Sequence, residues 1–508
     1  MRTCRAFAVL GLVYAVGACQ DLDVLNTNLP DQARAISEPG DVESLIAGSF
    51  QTWFYGYSDY YPAWALSVAA DEASSSWGNA GMRDISEEPR KQFPNSTGYS
   101  YDEVARNPWY DMYGAISATN DGLRAIAEGL EIGEDGADTQ RAIAFAKFMQ
   151  GMAHAYLALT YDRAFVFTED IDLESAEFEL VDYNQMMDVA ITMMDQAIVE
   201  AGKSSFPLPD HWMATSSLTN QDLIQLANSY VARFMASVAR TPAERAAVNW
   251  QEVINRINAG ITEDFGITLD NTDWGDSFKG YTQRYDWFRS DMRAMIGPAD
   301  ISGAYQDWLA TPVGDRIDFD IDTPDQRIQG GAVGVSGTDF TYRRTQNHRA
   351  DRGTYHFSRY HWTRYFYIRT DQIGFDPIMA KAEMDLLKAE AYIRLGQPDA
   401  AVPLINATRV SRGGLPPVSE TGPTGADCVP KKLVDPAGGC ADLMSTLMWE
   451  KRIETFSIAA GVAYWDARGW GLLVTGTPYH LPIPARELET LQLPLYTFGG
   501  VGGEGAAQ

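Results

Sequence analysis

Residues 140–161 constrain the fold more than any other stretch. Phe145, Phe148, Met149, Met152, Tyr156 and Leu159 recur every three or four positions, which places them on one face of a helix. Ala142, Ala146, Gly151, Ala153, Ala155 and Ala158 fall among them and let a neighbouring helix approach closely. Residues 184–201 repeat the pattern with Met187, Ile191, Met194 and Ile198, and residues 220–239 with Leu223, Leu226, Ala227, Tyr230 and Phe234. Earlier, Val42, Leu45, Ile46, Ser49 and Phe50 predict a helix opening near Asp41, and Trp109, Tyr113, Ile116 and Asn120 predict one following Pro108. Thr241-Pro242-Ala243-Glu244 reads as a helix start, with Thr as N-cap, Pro at the first position and Glu closing a capping box. That helix continues through Trp250, Val253, Ile254 and Ile257 to Gly260. Residues 376–395 and 398–412 predict a helical hairpin broken at Gly396, and a last helix spans 442–458. Consecutive helices with small residues at their meeting points are the physics of tetratricopeptide-like pairs, in which each pair buries its face against the next. The fold class expected is mostly α, with long irregular insertions.

Those insertions are aromatic. Residues 53–80 read as irregular and hold Trp53, Tyr57, Tyr60, Trp64 and Trp77. The largest, 262–375, is rich in Gly, Asp and aromatics, and its alternating runs at 354–360 and 364–369 suggest strands.

The N-terminus sets the compartment. Arg2 and Arg5 precede an apolar run from Ala6 to Ala15, then Val16-Gly17-Ala18-Cys19. A basic start, a short apolar run and small residues before a boundary read as a secretory leader. A cysteine at the boundary makes this a lipobox, so residues 1–18 are expected to be removed and Cys19 to carry acyl chains. Stable anchoring needs more than one chain, at about 0.8 kcal/mol per buried CH₂. The run is too short to span a bilayer, which takes about 20 residues. Residues 19–40, polar and holding Pro30 and Pro39, read as a tether, and 41–508 as the folded domain.

The formal charge is −28, from 68 acids against 40 Lys and Arg. That balance argues against nucleic acid and against an anionic membrane as surfaces to bind; membrane contact is expected through the lipid alone. Cys4 leaves with the leader and Cys19 takes lipid, so Cys428 and Cys440 remain, in a Gly/Pro/Lys-rich segment. In an exported chain they are expected to pair, the alternative being two free thiols; a metal site lacks further ligands.

The C-terminal third carries specific motifs. Leu447-Met448-Trp449-Glu450-Lys451-Arg452-Ile453-Glu454 precedes Tyr464-Trp465-Asp466-Ala467-Arg468, then Leu481-Pro482-Ile483-Pro484-Ala485-Arg486-Glu487. This resembles the closing signature of the SusD/RagB family of nutrient-uptake lipoproteins. The lipobox followed by Leu22-Asp23-Val24 and Asn26, the helix at Trp109–Asn120, the stretch ending at Tyr161-Asp162, and the hairpin with Ala389-Glu390-Ala391, Leu395-Gly396, Ile405-Asn406 and Arg409 resemble the same family in the same order. The resemblance departs locally at 464–470 and in the Gly-rich tail. It implies a SusD-like α-helical domain on the outer face of the outer membrane, binding a glycan or peptide oligomer and capping a TonB-dependent, SusC-like transporter. It implies no catalysis and no cofactor. Two readings of other classes are a helical-repeat scaffold that only docks proteins and a surface hydrolase.

Glycan recognition needs flat aromatic faces beside polar groups. Two clusters supply both: Trp53, Tyr57, Tyr60, Trp64 and Trp77 near Asp71, Glu72 and Asn79, and Trp274, Tyr281, Tyr285, Trp287 and Phe288 near Asp273, Asp276 and Arg289. Trp274, Tyr281, Tyr285, Trp287, Trp64 and Trp77 are the ligand candidates. Glu450, Arg452, Glu454, Asp466 and Arg468 read instead as a buried ion network, since charges go inside only with partners. Asp318, Asp320 and Asp322 alternate like the start of a calcium loop, but Thr323 stands at the sixth position and Gln329 at the twelfth, so no EF-hand forms and no metal is expected. No HExxH, GxSxG, P-loop or GxGxxG occurs. Asn95-Ser96-Thr97 matches a glycosylation acceptor, which the bacterial lipoprotein context makes incidental.

Overall fold

The 140–161 stripe forms a helix that is covered on nearly every side, Thr139–Thr160, in the computed structural model. The structure describes residues 38–58, 61–75, 77–171, 178–345 and 355–508. The leader, Cys19 and the tether up to residue 37 lie outside the described residues, as does Tyr60.

Helices α1 (Pro39–Ser58), α2 (Ala63–Ala69), α3 (Glu103–Ala127), α4 (Thr139–Thr160), α5 (Tyr183–Ala201), α6 (Asn220–Ser237), α7 (Pro242–Ala246) and α8 (Trp250–Asn258) occupy the first half. The second half holds α9 (Ser277–Thr282), α10 (Lys381–Arg394), α11 (Pro398–Ser411), α12 (Leu443–Glu454), α13 (Val462–Trp470) and α14 (Ala485–Thr490). They pack as a relay: α1 on α3, α3 on α4, α4 on α5, α5 on α6, α6 on α8, α8 on α10, and α10 on α11 and α12. The close approaches fall at small residues. A Cβ on Gly151 would stand 2.7 Å from Met194 of α5, and one on Gly122 would stand 2.5 Å from Ile46 of α1. The fold is therefore mostly α with tetratricopeptide-like pairs. Strands occur only as four two-stranded antiparallel pairs among the described residues. The longest joins β1 (Phe265–Asp270) to β2 (Ile373–Met379). No helix among the described residues is long and apolar enough to cross a membrane.

Several boundaries differ from expectation. α1 runs on through Ser58, because Trp53, Phe54 and Tyr57 continue the buried face of Val42, Ile46 and Phe50. α3 starts at Glu103 and carries Pro108 inside. Thr241 caps α7 by accepting from the Glu244 N–H, but the Glu244 carboxylate accepts from Arg240 N–H. The expected single helix from 241 to 260 is two, because Asn249 caps a new one by accepting from Glu252 N–H. Residues 376–379 belong to β2, since they pair with Phe265–Ile267, and α10 begins only at Lys381. α12 ends at Glu454, and α13 and α14 follow it. Tyr360–Trp362 does form a strand, pairing with Phe340–Tyr342, whereas 366–370 is a one-turn helix. Asp318 and Asp320 lie on no strand. Arg359 stands 2.7 Å and 2.8 Å from their carboxylates and supplies the positive charge that calcium was considered for.

The expected C-terminal ion network is two networks and two arginines bound to carbonyls. Glu450 and Glu454 close on Arg327 of the insertion. Asp466 pairs with Arg245 and Lys451. Arg452 donates to the carbonyls of Ala70 and Asp71, and Arg468 to those of Leu159, Ser237 and Tyr479. Cys428 and Cys440 are joined by a disulfide.

Candidate functional site

The two aromatic clusters, about 200 residues apart in sequence, meet at one open cleft of about 560 Å³. Trp64 comes from α2, Asn79 from the turn after it, Tyr281 from α9, Arg284 and Trp287 from the turn that follows, and Arg369 and Gln372 from the chain entering β2. α9 is set by its cap: the Asp276 carboxylate accepts from Lys279 N–H at 2.7 Å. Gln372 sits at φ +52°, and its side-chain oxygen accepts from Asp276 N–H at 2.9 Å, tying the two walls together. A second hollow of about 350 Å³, lined by Gln51, Thr52, Tyr55, Tyr61, Asn107 and Asp111, shares Tyr61 with the first.

Three of the six aromatic candidates line the main cleft. Trp64 and Tyr281 stack with centroids 3.6 Å apart and are each only 4 % exposed, so they form the floor of the cleft and offer it little more than an edge. Trp287 is half-buried, lies 4.7 Å from Tyr281, and has the Arg284 guanidinium over its face at 3.6 Å. Trp77, 45 % exposed, stands at the rim against Trp287 and donates from its indole N–H to the Asp286 carbonyl. Tyr285, 42 % exposed, does not line the cleft and packs instead under Arg343 and beside His361.

Trp274 is a core residue. It is 9 % exposed and packs on Phe50, Phe54 and Tyr55. An irregular insertion can still send a ring into the core of α1, and sequence spacing does not show this. The polar companions also sort differently from expectation. Arg289 is buried and donates to the carbonyls of Tyr285, Arg343 and Thr345. Asp71 and Glu72 are buried and do not line the cleft: Asp71 pairs with Arg90 and Arg293, and Glu72 accepts from the Ser67 hydroxyl and the Ser457 N–H. Asn79 does line it, with its amide 3.4 Å from the Tyr281 hydroxyl. Sequence reasoning missed Arg284 and Arg369; the available signal was Arg284 three residues before Trp287 in the aromatic cluster.

A cluster elsewhere has metal-ligating residue types. Asp71, Asp291 and His356 bring oxygen and nitrogen atoms within 4.8 Å of one another. The space beside them is about 10 Å³, about that of one water molecule. The charges are already balanced: Arg293 lies 2.5 Å and Arg90 3.4 Å from Asp71, Ser74 donates to Asp291, and Glu88 lies 3.0 Å from His356 Nε2, where Arg316 also approaches. An ion pair, not a metal, is the occupant that this geometry serves. Burial disfavours charge on His356, yet Asp291, Asp71 and Glu88 outweigh it and lift the imidazole to about 9. Burial, then the Asp71 charge, pushes Asp291 up to about 7. Both shifts mean that the folded state holds protons that the unfolded chain releases. The histidine's share of stability is therefore complete below its unfolded value of about 6.5 and drains as pH rises toward 9, while the share from Asp291 is complete only below the ordinary aspartate value of about 3.9 and drains as pH rises toward 7. His356→Gln is expected to cost up to about 3 kcal/mol near pH 6 and much less above pH 9. Urea unfolding of both proteins across that range checks it, and a pH-independent gap would refute the charged-imidazole assignment.

No protein-family model matches the sequence, and no curated protein matches it. Solved structures do. A SusD superfamily protein from Bacteroides vulgatus matches with a TM-score of 0.55 at 15% identity, over 90% of this chain and 97% of that one. A SusD-like carbohydrate binding protein from Bacteroides fragilis matches with a TM-score of 0.54 at 15% identity, over 93% and 96%. A SusD superfamily protein from Bacteroides thetaiotaomicron matches with a TM-score of 0.56 at 13% identity, over 90% and 97%. At such identities the likeness speaks for architecture, and the chain has the SusD-like fold across almost its whole length.

Proposed function

We propose that this chain is a SusD/RagB-type surface lipoprotein, anchored through Cys19 at the outer membrane, that captures a nutrient oligomer and passes it to a TonB-dependent transporter without chemistry of its own. The observation that carries the reading is the meeting of Trp64, Tyr281, Trp287 and Trp77 at one open cleft on a SusD-like fold. Aromatic rings beside amide and guanidinium groups suit the apolar faces and hydroxyls of sugars. The adjoining hollow at Tyr61 gives length for more than one unit. The Bacteroides fragilis protein of the same fold is described as carbohydrate binding, which favours a glycan over a peptide. An exposed rim Trp speaks against a scaffold with buried aromatics. The cleft lining offers no carboxylate, the group that a glycosidase uses in pairs.

The test is calorimetry and Trp fluorescence of the lipid-free mature chain against oligosaccharides and peptides. Trp287→Ala is expected to weaken binding at least about tenfold, or about 1.4 kcal/mol, with folding intact because the ring is half-buried. Binding unchanged in that variant would remove the cleft from the reading. A folded protein that binds nothing in the panel would move the weight to a scaffold.

A further inference from the structure

Arg284 and Arg369 both line the main cleft, where no acidic side chain joins them. This is unexpected in a chain with 68 acids and 40 Lys and Arg. Most arginines inside this fold are committed, as Arg233 is to Glu383, Arg245 to Glu390 and Arg327 to Glu450. Neither cleft arginine makes a side-chain hydrogen bond or ion pair among the described residues. Arg284 lays its guanidinium on the Trp287 ring, a contact that uses the face of the group and leaves its in-plane N–H donors unspent. Arg369 is half-buried, and the nearby Arg284 charge adds to burial in disfavouring its own, with Asp286 opposing from outside the lining. Two like charges line one cleft whose lining holds no acid, with Asp286 opposing them only from outside it, so a bound anion would relieve their mutual repulsion. A guanidinium fork matches the planar carboxylate bidentately and also takes sulfate oxygens.

We propose that the cleft takes an acidic oligosaccharide, its acid groups read by Arg284 and Arg369 while its sugar rings lie against Trp287 and Trp77. This rests on the capture reading above and narrows it to a ligand class. The acid group is a carboxylate, as in a uronate, or a sulfate ester.

Calorimetry on the lipid-free mature chain tests it with trigalacturonate, its methyl ester, trimannuronate, a κ-carrageenan tetrasaccharide, cellotriose, maltotriose and triglutamate. The expected result is that at least one acidic sugar binds ten or more times tighter than every neutral one, with the uronate and carrageenan arms separating carboxylate from sulfate. Arg369→Gln should lower that affinity at least tenfold and Arg369→Lys by less, since Lys keeps the charge but not the fork. Arg284→Gln should act similarly; Arg369→Gln, which breaks no ion pair, should keep the wild-type melting temperature, and Arg284→Gln should lower it only slightly, through the lost Trp287 contact. Neutral sugars binding as well as acidic ones, or acidic binding indifferent to Arg369→Gln and Arg284→Gln, would overturn the proposal and leave capture standing. Triglutamate binding with no sugar bound would overturn it in favour of a peptide ligand. No sugar or peptide bound at all would overturn both.

Discussion

Arg327→Met is expected to destabilise the folded chain by about 3–5 kcal/mol, the cost of leaving buried carboxylates without their cation. Arg327 is fully buried, and three carboxylates converge on it. Its Nη1 lies 2.7 Å from Glu450 and 2.8 Å from Glu454, and its Nη2 lies 2.7 Å from Asp325. The surrounding arginines are poorer substitutes: Arg409 stands 3.4 Å from Glu450, Arg364 3.2 Å and Arg412 3.4 Å from Glu454. The consequence is architectural. Arg327 belongs to the 262–375 insertion and Glu450 and Glu454 to α12, so this network docks the insertion that carries one wall of the cleft onto the helical body. Burial already pushes the Glu450 carboxyl up against the pull of Arg327. Without Arg327 that acid would take a proton more readily, so the deficit of the variant should shrink as pH falls. Urea unfolding at neutral pH and near pH 5 measures both effects. Arg327→Lys should fall between, because it restores charge without the fork. A loss below about 1 kcal/mol would mean that Arg409, Arg364 and Arg412 carry the network.

How much of this was legible in the sequence depended on whether the partners were local. α4 was readable almost to the residue, because its spacing and its small residues are both features of one continuous segment. α1 was read short, because Trp53, Phe54 and Tyr57 carry the same stripe as Phe50 but look like an aromatic loop when counted by composition. The motif acids Glu450, Glu454 and Asp466 were readable as buried and structural, while Arg327 and Arg245, their partners, lie more than 100 residues upstream and carry no spacing signal. The same limit applies at the cleft. Trp64 and Tyr281 were singled out separately, and nothing in the chain says that they stack on each other. Trp274 looked equivalent to Trp287, yet a backbone turn sends one ring onto Phe54 and leaves the other at the cleft. Arg289 was chosen over Arg284 for want of any means to see that its donors are consumed by three carbonyls.

Lys279→Met is expected to cost about 3 kcal/mol and also to loosen the cleft, which separates it from Arg327→Met in kind. Lys279 is buried on α9, with its ammonium 3.0 Å from Asp276 and 2.5 Å from Asp376 of β2. Burial raises the Asp376 carboxyl, Lys279 pulls it down, and the neighbouring Asp276 adds to the rise. Removing the cation leaves two buried carboxyl groups, Asp276 and Asp376, side by side without the ammonium that holds them together. Asp276 also caps α9 and donates its backbone N–H to Gln372, so its displacement would move Tyr281 and Arg284 together. Whatever ligand the wild type binds should therefore bind Lys279→Met several-fold more weakly at temperatures where the variant remains folded. The double variant Lys279→Met/Asp376→Leu tests the cause. Replacing the whole buried charge set with apolar groups is often neutral, so the double variant should regain part of the lost stability, and a non-additive gain is the signature of direct coupling. If the two changes add independently, Lys279 supports α9 by packing alone. The cleft would then owe its shape to the Trp64–Tyr281 stack rather than to the charges beneath it.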